Sequence, residues 1–108
     1  MFNSKIIGLG KYLPEKTITN DDLSNIMDTS DTWIKERTGI ETRRHIVKGD
    51  GDSTAVMAFK ASKIAIERAK IIPSDIELIL FATLSPDYYF PGSGVLLQNL
   101  LKIKNCPA

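Results

Sequence analysis

The spacing of apolar residues changes several times along the chain, and each change predicts an element. Lys5–Leu13 (K-I-I-G-L-G-K-Y-L) is mostly apolar and is stopped by Pro14, which reads as a strand. Gly8 and Gly10 lie two apart, so they share one face of the pleat. That face is bare and suits another backbone packed close against it. Asn20 is placed to cap a short helix, with Asp21 and Asp22 in its first turn and Leu23, Ile26 and Met27 on its apolar side. Thr29 or Ser30 can cap a second helix over 31–38, and Gly39 suits its left-handed stop. Glu41–Val47 reads as a polar strand or extended arm, and Gly49-Asp50-Gly51 as a turn.

The longest helix is predicted from Ser53 to Ala69. Lys60, Lys63, Glu67 and Lys70 mark its wet face. The rest is apolar and mostly small, with Ala55, Ala58, Ala61, Ala65 and Ala69 among Val56, Phe59, Ile64 and Ile66. A helix this apolar is expected to be covered around most of its circumference, which 108 residues alone rarely achieve. Pro73-Ser74-Asp75 is a turn. Leu78–Leu84 runs apolar without alternation, the pattern of a strand covered on both faces, as in a parallel sheet. Tyr88–Gly94 is a loop. Ser93 or Gly94 starts a final helix, Val95–Ile103, with Leu96, Leu97, Leu100 and Leu101 inward. The order of elements is α/β, and with no strong apolar run after Leu84 the sheet should be small and open-edged.

Composition narrows the function. Hydrophobic residues make up 43% and charged residues 25%, which is ordinary for a globular domain, and 108 residues suggest one domain. The net charge is +1, so no global field favours nucleic acid or an anionic membrane. Arg43, Arg44, His45 and Lys48 lie beside Glu41 and Asp50 and are a weak basic patch. The first five residues lack the layout of a signal peptide. The longest clean apolar run is far short of the roughly 20 residues of a membrane span. A single cysteine, Cys106, fits a reduced cytoplasmic compartment and makes neither a disulfide nor a zinc site. His45, the one histidine, is expected to be structural or on the surface.

The segment Asp28–Ile40 (D-T-S-D-T-W-I-K-E-R-T-G-I) holds the sole tryptophan, with Arg37 four residues beyond it. On a helix such a pair stands roughly 5–6 Å apart at Cβ. Long side chains can splay to admit a flat ring needing about 3.5–4 Å on each side. Indole offers a π face, and guanidinium a planar cation that also attracts phosphate. An adenine nucleotide has both a base and phosphates. The plainer alternative is that Trp33 packs in the core beneath Arg37.

The same segment resembles the signature of β-ketoacyl-acyl-carrier-protein synthase III. The resemblance extends in order through K-I-I-G-L-G-K-Y-L-P-E, T-N-D-D-L, the alanine-rich helix, L-I-L-F-A-T and F-P-G-S-G-V-L-L-Q. It implies the N-terminal portion of a thiolase-like fold, part of its first α/β half with an incomplete mixed sheet. It implies that Thr29, Trp33 and Arg37 bind coenzyme A, with the thioester as substrate and no metal or held cofactor. Phe90 would border the acyl pocket of the partner subunit at a homodimer interface, with Tyr88 and Tyr89 beside it. The implied reaction condenses acetyl-CoA, or another acyl-CoA, with malonyl on acyl-carrier protein.

The family's nucleophilic cysteine sits in an A-C-[AS]-G setting. Cys106 is followed by Pro107-Ala108 and is read as a structural thiol. No catalytic residue is expected within these 108 residues, which alone should be inactive. The sequence departs from the family at Lys70, where relatives often have a helix-stopping glycine, and at Gly92 and Gly94. The end of that helix is therefore less sharply specified, and the pocket near Phe90, and with it the primer preference, should differ. Gly92-Ser93-Gly94 is read as a loop needing open backbone angles rather than as an anion site. Two alternatives stay open: a related synthase using another acyl-CoA in quinolone, polyketide or biotin-precursor chemistry, and a non-catalytic nucleotide-binding or dimerisation module.

Overall fold

The computed structural model describes residues 3–108; Met1 and Phe2 of the leader reading lie outside the described residues. Those residues form two compact units, 3–12 with 51–108, and 13–50.

In residues 13–50, strand β1 (Lys16–Thr19) pairs antiparallel with β2 (Thr42–His45), Lys16 facing His45 and Thr19 facing Thr42. Helix α1 (Asn20–Ser24) follows β1 directly. Its cap is Thr19, not Asn20. Thr19 Oγ1 accepts from the Asp22 N–H, and the Asp22 carboxylate accepts from the Thr19 N–H, a reciprocal capping box. The Thr19 N–H first, and then the Thr19 hydroxyl donating to the same carboxylate at 2.7 Å, hold the Asp22 carboxyl below its usual range. Helix α2 spans Asp31–Thr38 as the sequence indicates. Ser30 Oγ accepts the Trp33 N–H at 3.1 Å, and Gly39 stops the helix at φ 68°. Across an α2 turn, Lys35 Nζ lies 2.9 Å from the Asp31 carboxylate.

In the other unit, α3 (Thr54–Ala69) begins at the Ser53 cap, and α4 covers Ser93–Leu100. Leu97, Leu101, Ile103 and Cys106 form a buried cluster, against which Ala58, Phe59, Ile66, Ile76, Ile79 and Phe81 pack. Helix α4 starts at Ser93, and the expected end at Ile103 is corrected to Leu100. Lys102 takes φ 57° and turns the chain back, so the Ile103 N–H donates to the Gln98 carbonyl. Leu100 faces outward at 37% exposure.

The bare glycine face has its partner. A Cβ on Gly8 would lie 2.3 Å from the Ala65 carbonyl oxygen, and one on Gly10 would lie 2.0 Å from that of Ala61. The alanines at 61, 65 and 69 recur every four residues, which makes a smooth stripe along α3. Backbone therefore rests on backbone. Arg68 adds a bond from Nη1 to the Leu9 carbonyl at 3.0 Å.

The expected sheet is corrected. Neither Lys5–Leu13 nor Leu78–Leu84 forms a ladder among the described residues, where the sheet is the two-stranded antiparallel β1–β2 pair, as in part of an α/β fold. A strand exists only through hydrogen bonds to a neighbour. Among the described residues, 78–84 find one such bond to a distant segment, Ile79 N–H to the Pro107 carbonyl at 3.0 Å. Their coverage is one-sided: Ile79 and Phe81 face the core cluster, whereas Leu80 and Leu84 are 87% and 105% exposed. Nor is α3 covered all round. Ala55 is its one fully buried residue, and Lys63, Glu67 and Arg68 are exposed.

Candidate functional site

Trp33 and Arg37 occupy successive turns of α2. Ile34, between them in sequence, is the buried residue that roots the helix. Trp33 is not in the core: its side chain is 54% exposed and Arg37 is exposed beside it. The Arg37 guanidinium carbon lies 5.5 Å from the centre of the indole ring, a cation–π contact. A base between the two needs about 7 Å from plane to plane, twice an aromatic contact. The slot is thus not preformed in this structure. Arg37 must swing outward, or the base must stack on the open indole face. Both movements are available to an exposed side chain.

Thr29 stands two residues ahead of α2. Its Oγ1 is shielded from solvent and has no hydrogen-bond partner among the described residues. An unpartnered hydroxyl of this kind retains both a donor and an acceptor for a ligand. The three nucleotide-binding candidates therefore sit on one helix and its lead-in.

Beneath them lies a group that the sequence reading missed. Asn20 is 1% exposed. Its Nδ2 donates to Asp31 Oδ1 and to the Ile40 carbonyl, both at 2.8 Å, and its Oδ1 accepts from Arg43 Nη1 at 2.7 Å. The signal was present in Thr19-Asn20-Asp21-Asp22, since Thr19 and Asp22 satisfy a capping box by themselves and leave the asparagine free. Arg44 donates to the Pro14 and Glu15 carbonyls at 2.9 and 3.1 Å. The arginines of the supposed basic patch are thus engaged in local structure, and His45 is exposed on β2.

Phe90 belongs to the other unit and is 91% exposed, with Tyr89 at 99% and Tyr88 at 63%. The loop carrying them is tied down by Asp87. Its carboxylate accepts from the Ala55 N–H at 2.9 Å and from Ser93 Oγ at 2.7 Å, bridging the starts of α3 and α4. Burial pushes the Asp87 carboxyl up, but the bonds from Ser93, Ser53 and Ala55 outweigh it and leave it below the usual carboxylate range. Gly92 takes φ 89° as the residue ahead of α4, but Ser93 and Gly94 are already helical, so the reading of Gly92-Ser93-Gly94 as a loop with open backbone angles holds for Gly92 and is corrected for the other two.

Cys106 is buried in the apolar cluster with its Sγ 3.4 Å from the Pro107 carbonyl, as a structural thiol would be. A second unforeseen cluster joins Tyr12, Asp52 and Lys60. Tyr12 Oη donates to Asp52 Oδ2 at 2.6 Å, and the Lys60 ammonium bonds to Asp52 and sits 4.3 Å from the centre of the Tyr12 ring. The carboxyl of Asp52 is held low by Lys60 and then Tyr12, and the Lys60 ammonium is held high by Asp52. Among the described residues, no three His, Cys, Asp or Glu side chains are grouped to hold a metal, and no helix is long and apolar enough to cross a membrane.

With this geometry in hand, the fold is that of part of a thiolase-like synthase. The chain superposes with a TM-score of 0.90 on a solved 3-oxoacyl-[acyl-carrier-protein] synthase III from Aquifex aeolicus, at 43% identity, covering 98% of this chain and 33% of that one. A priming β-ketosynthase from the R1128 polyketide biosynthetic pathway gives a TM-score of 0.84 at 29% identity, covering 96% of this chain and 32% of that one. In sequence, the resemblance to β-ketoacyl-acyl-carrier-protein synthase III holds over nearly the whole chain. The protein of that name from Listeria monocytogenes is 47% identical over 103 residues, which are 95% of this chain and 32% of the relative. The chain therefore spans about a third of the length of the curated relatives it matches. No family model matches it.

Proposed function

We propose that the chain is part of a β-ketoacyl-acyl-carrier-protein synthase III, and that all 108 residues belong to one condensing-enzyme domain. The enzyme takes an acyl group, acetyl first, from coenzyme A onto a cysteine thiol other than Cys106, forming a new thioester and releasing the CoA thiol. It then joins that acyl carbon to malonyl on acyl-carrier protein, with loss of carbon dioxide. It works as a soluble cytoplasmic homodimer at the start of fatty-acid synthesis. Residues of this chain bind and position, and no bond-making step is assigned to them. Trp33 and Arg37 hold the adenine of coenzyme A, Thr29 supplies a hydrogen bond, and Arg37 also meets phosphate charge. Phe90 lies at the dimer contact and limits the partner's acyl pocket; the exposure of Tyr88, Tyr89 and Phe90 supports an interface there.

The observation that carries the binding role is an exposed indole with a guanidinium 5.5 Å from its ring, beside a shielded hydroxyl that lacks a partner. Trp33 is the sole tryptophan of these 108 residues, and the emission lost in Trp33→Phe isolates its signal in the complete protein. Titration of the complete protein with coenzyme A should quench it. Trp33→Ala should raise the KM for acyl-CoA about tenfold while leaving the fold intact. Unquenched fluorescence together with an unchanged KM would rule the clamp out.

A second reading keeps the fold and changes the acyl group. The likeness to a priming β-ketosynthase of a polyketide pathway favours it. A panel of acyl-CoA thioesters separates the two: preference for acetyl-CoA supports the fatty-acid role, and preference for a longer or branched primer supports the other.

A further inference from the structure

A buried amide persists in a fold only when its donors and acceptor are matched. Asn20 meets that condition, because both Nδ2 hydrogens are donated and the Oδ1 oxygen accepts. The partners are informative. Asp31 is the first residue of α2, and Ile40 follows the Gly39 stop of the same helix. Arg43 lies in β2. One side chain thus grips α2 at its entry and just past its exit, and ties both to β2.

Apolar burial does little of this work, since Ile34 alone is buried in α2. Nor is Asn20 needed to start α1, which Thr19 and Asp22 cap between them. We infer that Asn20 is a positioning residue for the nucleotide clamp: through Asp31 and Ile40 it sets the rotation of α2 and so the direction in which Trp33 and Arg37 face the adenine. The inference rests on the coenzyme A reading above. Asn20 itself touches no ligand in this role.

The test is acyl-CoA kinetics on the complete protein. Asn20→Asp sets a carboxylate against Asp31 and strips the donor from the Ile40 carbonyl. It should raise the KM for acyl-CoA about tenfold and leave kcat within about twofold, the pattern of lost uniform binding. Adding Asp31→Asn re-creates a donor–acceptor match between the two positions and should bring KM back to within about threefold of wild type. Trp33→Ala, run in parallel, separates the two ideas. An unchanged KM in that variant overturns the clamp reading itself. A raised KM there with an unchanged KM in Asn20→Asp overturns the positioning role, as does failure of the exchange to restore it. Should Asn20→Asp not fold, Arg43→Ala opens only the third bond. A KM rise of about threefold with kcat held then supports the inference, and an equal fall in kcat and kcat/KM overturns it.

Discussion

In residues 3–12 and 51–108, helix α3 rests on one side against backbone that carries no side chains; in residues 13–50, helix α2 is gripped at both ends by one buried amide. The two arrangements are sensitive to different things. Against α3, Gly8 and Gly10 meet an alanine stripe, and the contact is close enough to exclude a single added methyl. Its strength comes from many small dispersion contacts, each lost if the surfaces are pushed apart. Around Asn20 the requirement is chemical: donors must face acceptors, because an unpaired buried polar group costs about 1–3 kcal/mol. Packing of the first kind suits a rigid scaffold. A hub of the second kind suits a helix whose exposed side chains must point in a set direction.

The largest effect should come from adding volume where none is available. Gly10→Ala would place its Cβ 2.0 Å from the Ala61 carbonyl oxygen and 2.7 Å from the Ala65 nitrogen. Since both are backbone atoms, no rotamer change relieves the clash. A loss of about 3 kcal/mol is expected by urea unfolding of the complete protein. Adding Ala65→Gly should recover almost none of it, because the methyl is not what Gly10 meets. Recovery of half the loss or more would mean that side chains, not backbones, set the spacing.

Asp87 sits between the two kinds of contact, a polar group fixing elements of the apolar unit. Asp87→Ala removes the acceptor at the start of α3 and leaves Ser93, which is 3% exposed, without a partner for its hydroxyl hydrogen. About 2 kcal/mol is expected. The sign of its pH dependence follows from its lowered carboxyl. A folded-state pKa below the unfolded value gives stability that is present above the unfolded pKa. That stability is lost as pH falls through the folded one. Asp87→Asn should therefore flatten the fall in melting temperature below about pH 4. The slope should be reduced rather than abolished, because the carboxyl of Asp52 is also held low. An unaltered acid slope in the variant would show that Asp87 does not contribute.

Which features could be read from the sequence follows the same division. The glycine pair announced a close backbone contact because the absence of a side chain has one steric meaning. The bounds of α2 and α3 were legible because Ser30, Gly39 and Ser53 act on their own local backbone. Leu78–Leu84 was misread as covered on both faces because apolar character records what a segment can bury, not what these residues supply to bury it. Asn20 was misassigned as a cap because its partners at 31, 40 and 43 are distant in sequence. The Trp33–Arg37 pairing was legible from its spacing. The closed state of the pair was not, because it depends on rotamers that an exposed pair can change.

The smallest effect separates two helix stops of the same geometry. Gly39 ends α2 at φ 68°, and Lys70 ends α3 at φ 56° and ψ 39°, where the sequence suggested a blurred end for want of a glycine. The end is in fact well defined. The Ile71 N–H reaches back to the Ile66 carbonyl at 3.4 Å, and the Lys70 N–H reaches the Glu67 carbonyl at 3.1 Å. A lysine in the left-handed region carries a Cβ crowded against its own carbonyl, at a cost of about 1 kcal/mol. The packing of α3 imposes that conformation. Lys70→Gly should therefore stabilise the protein, by somewhat less than that 1 kcal/mol because glycine also gains freedom in the unfolded chain. Gly39→Ala should destabilise by about 1 kcal/mol even though its Cβ would meet no atom within 4 Å. Opposite signs at two sites of matching φ would assign both effects to backbone conformation. The same sign at both would mean instead that neighbouring side chains decide how these helices end.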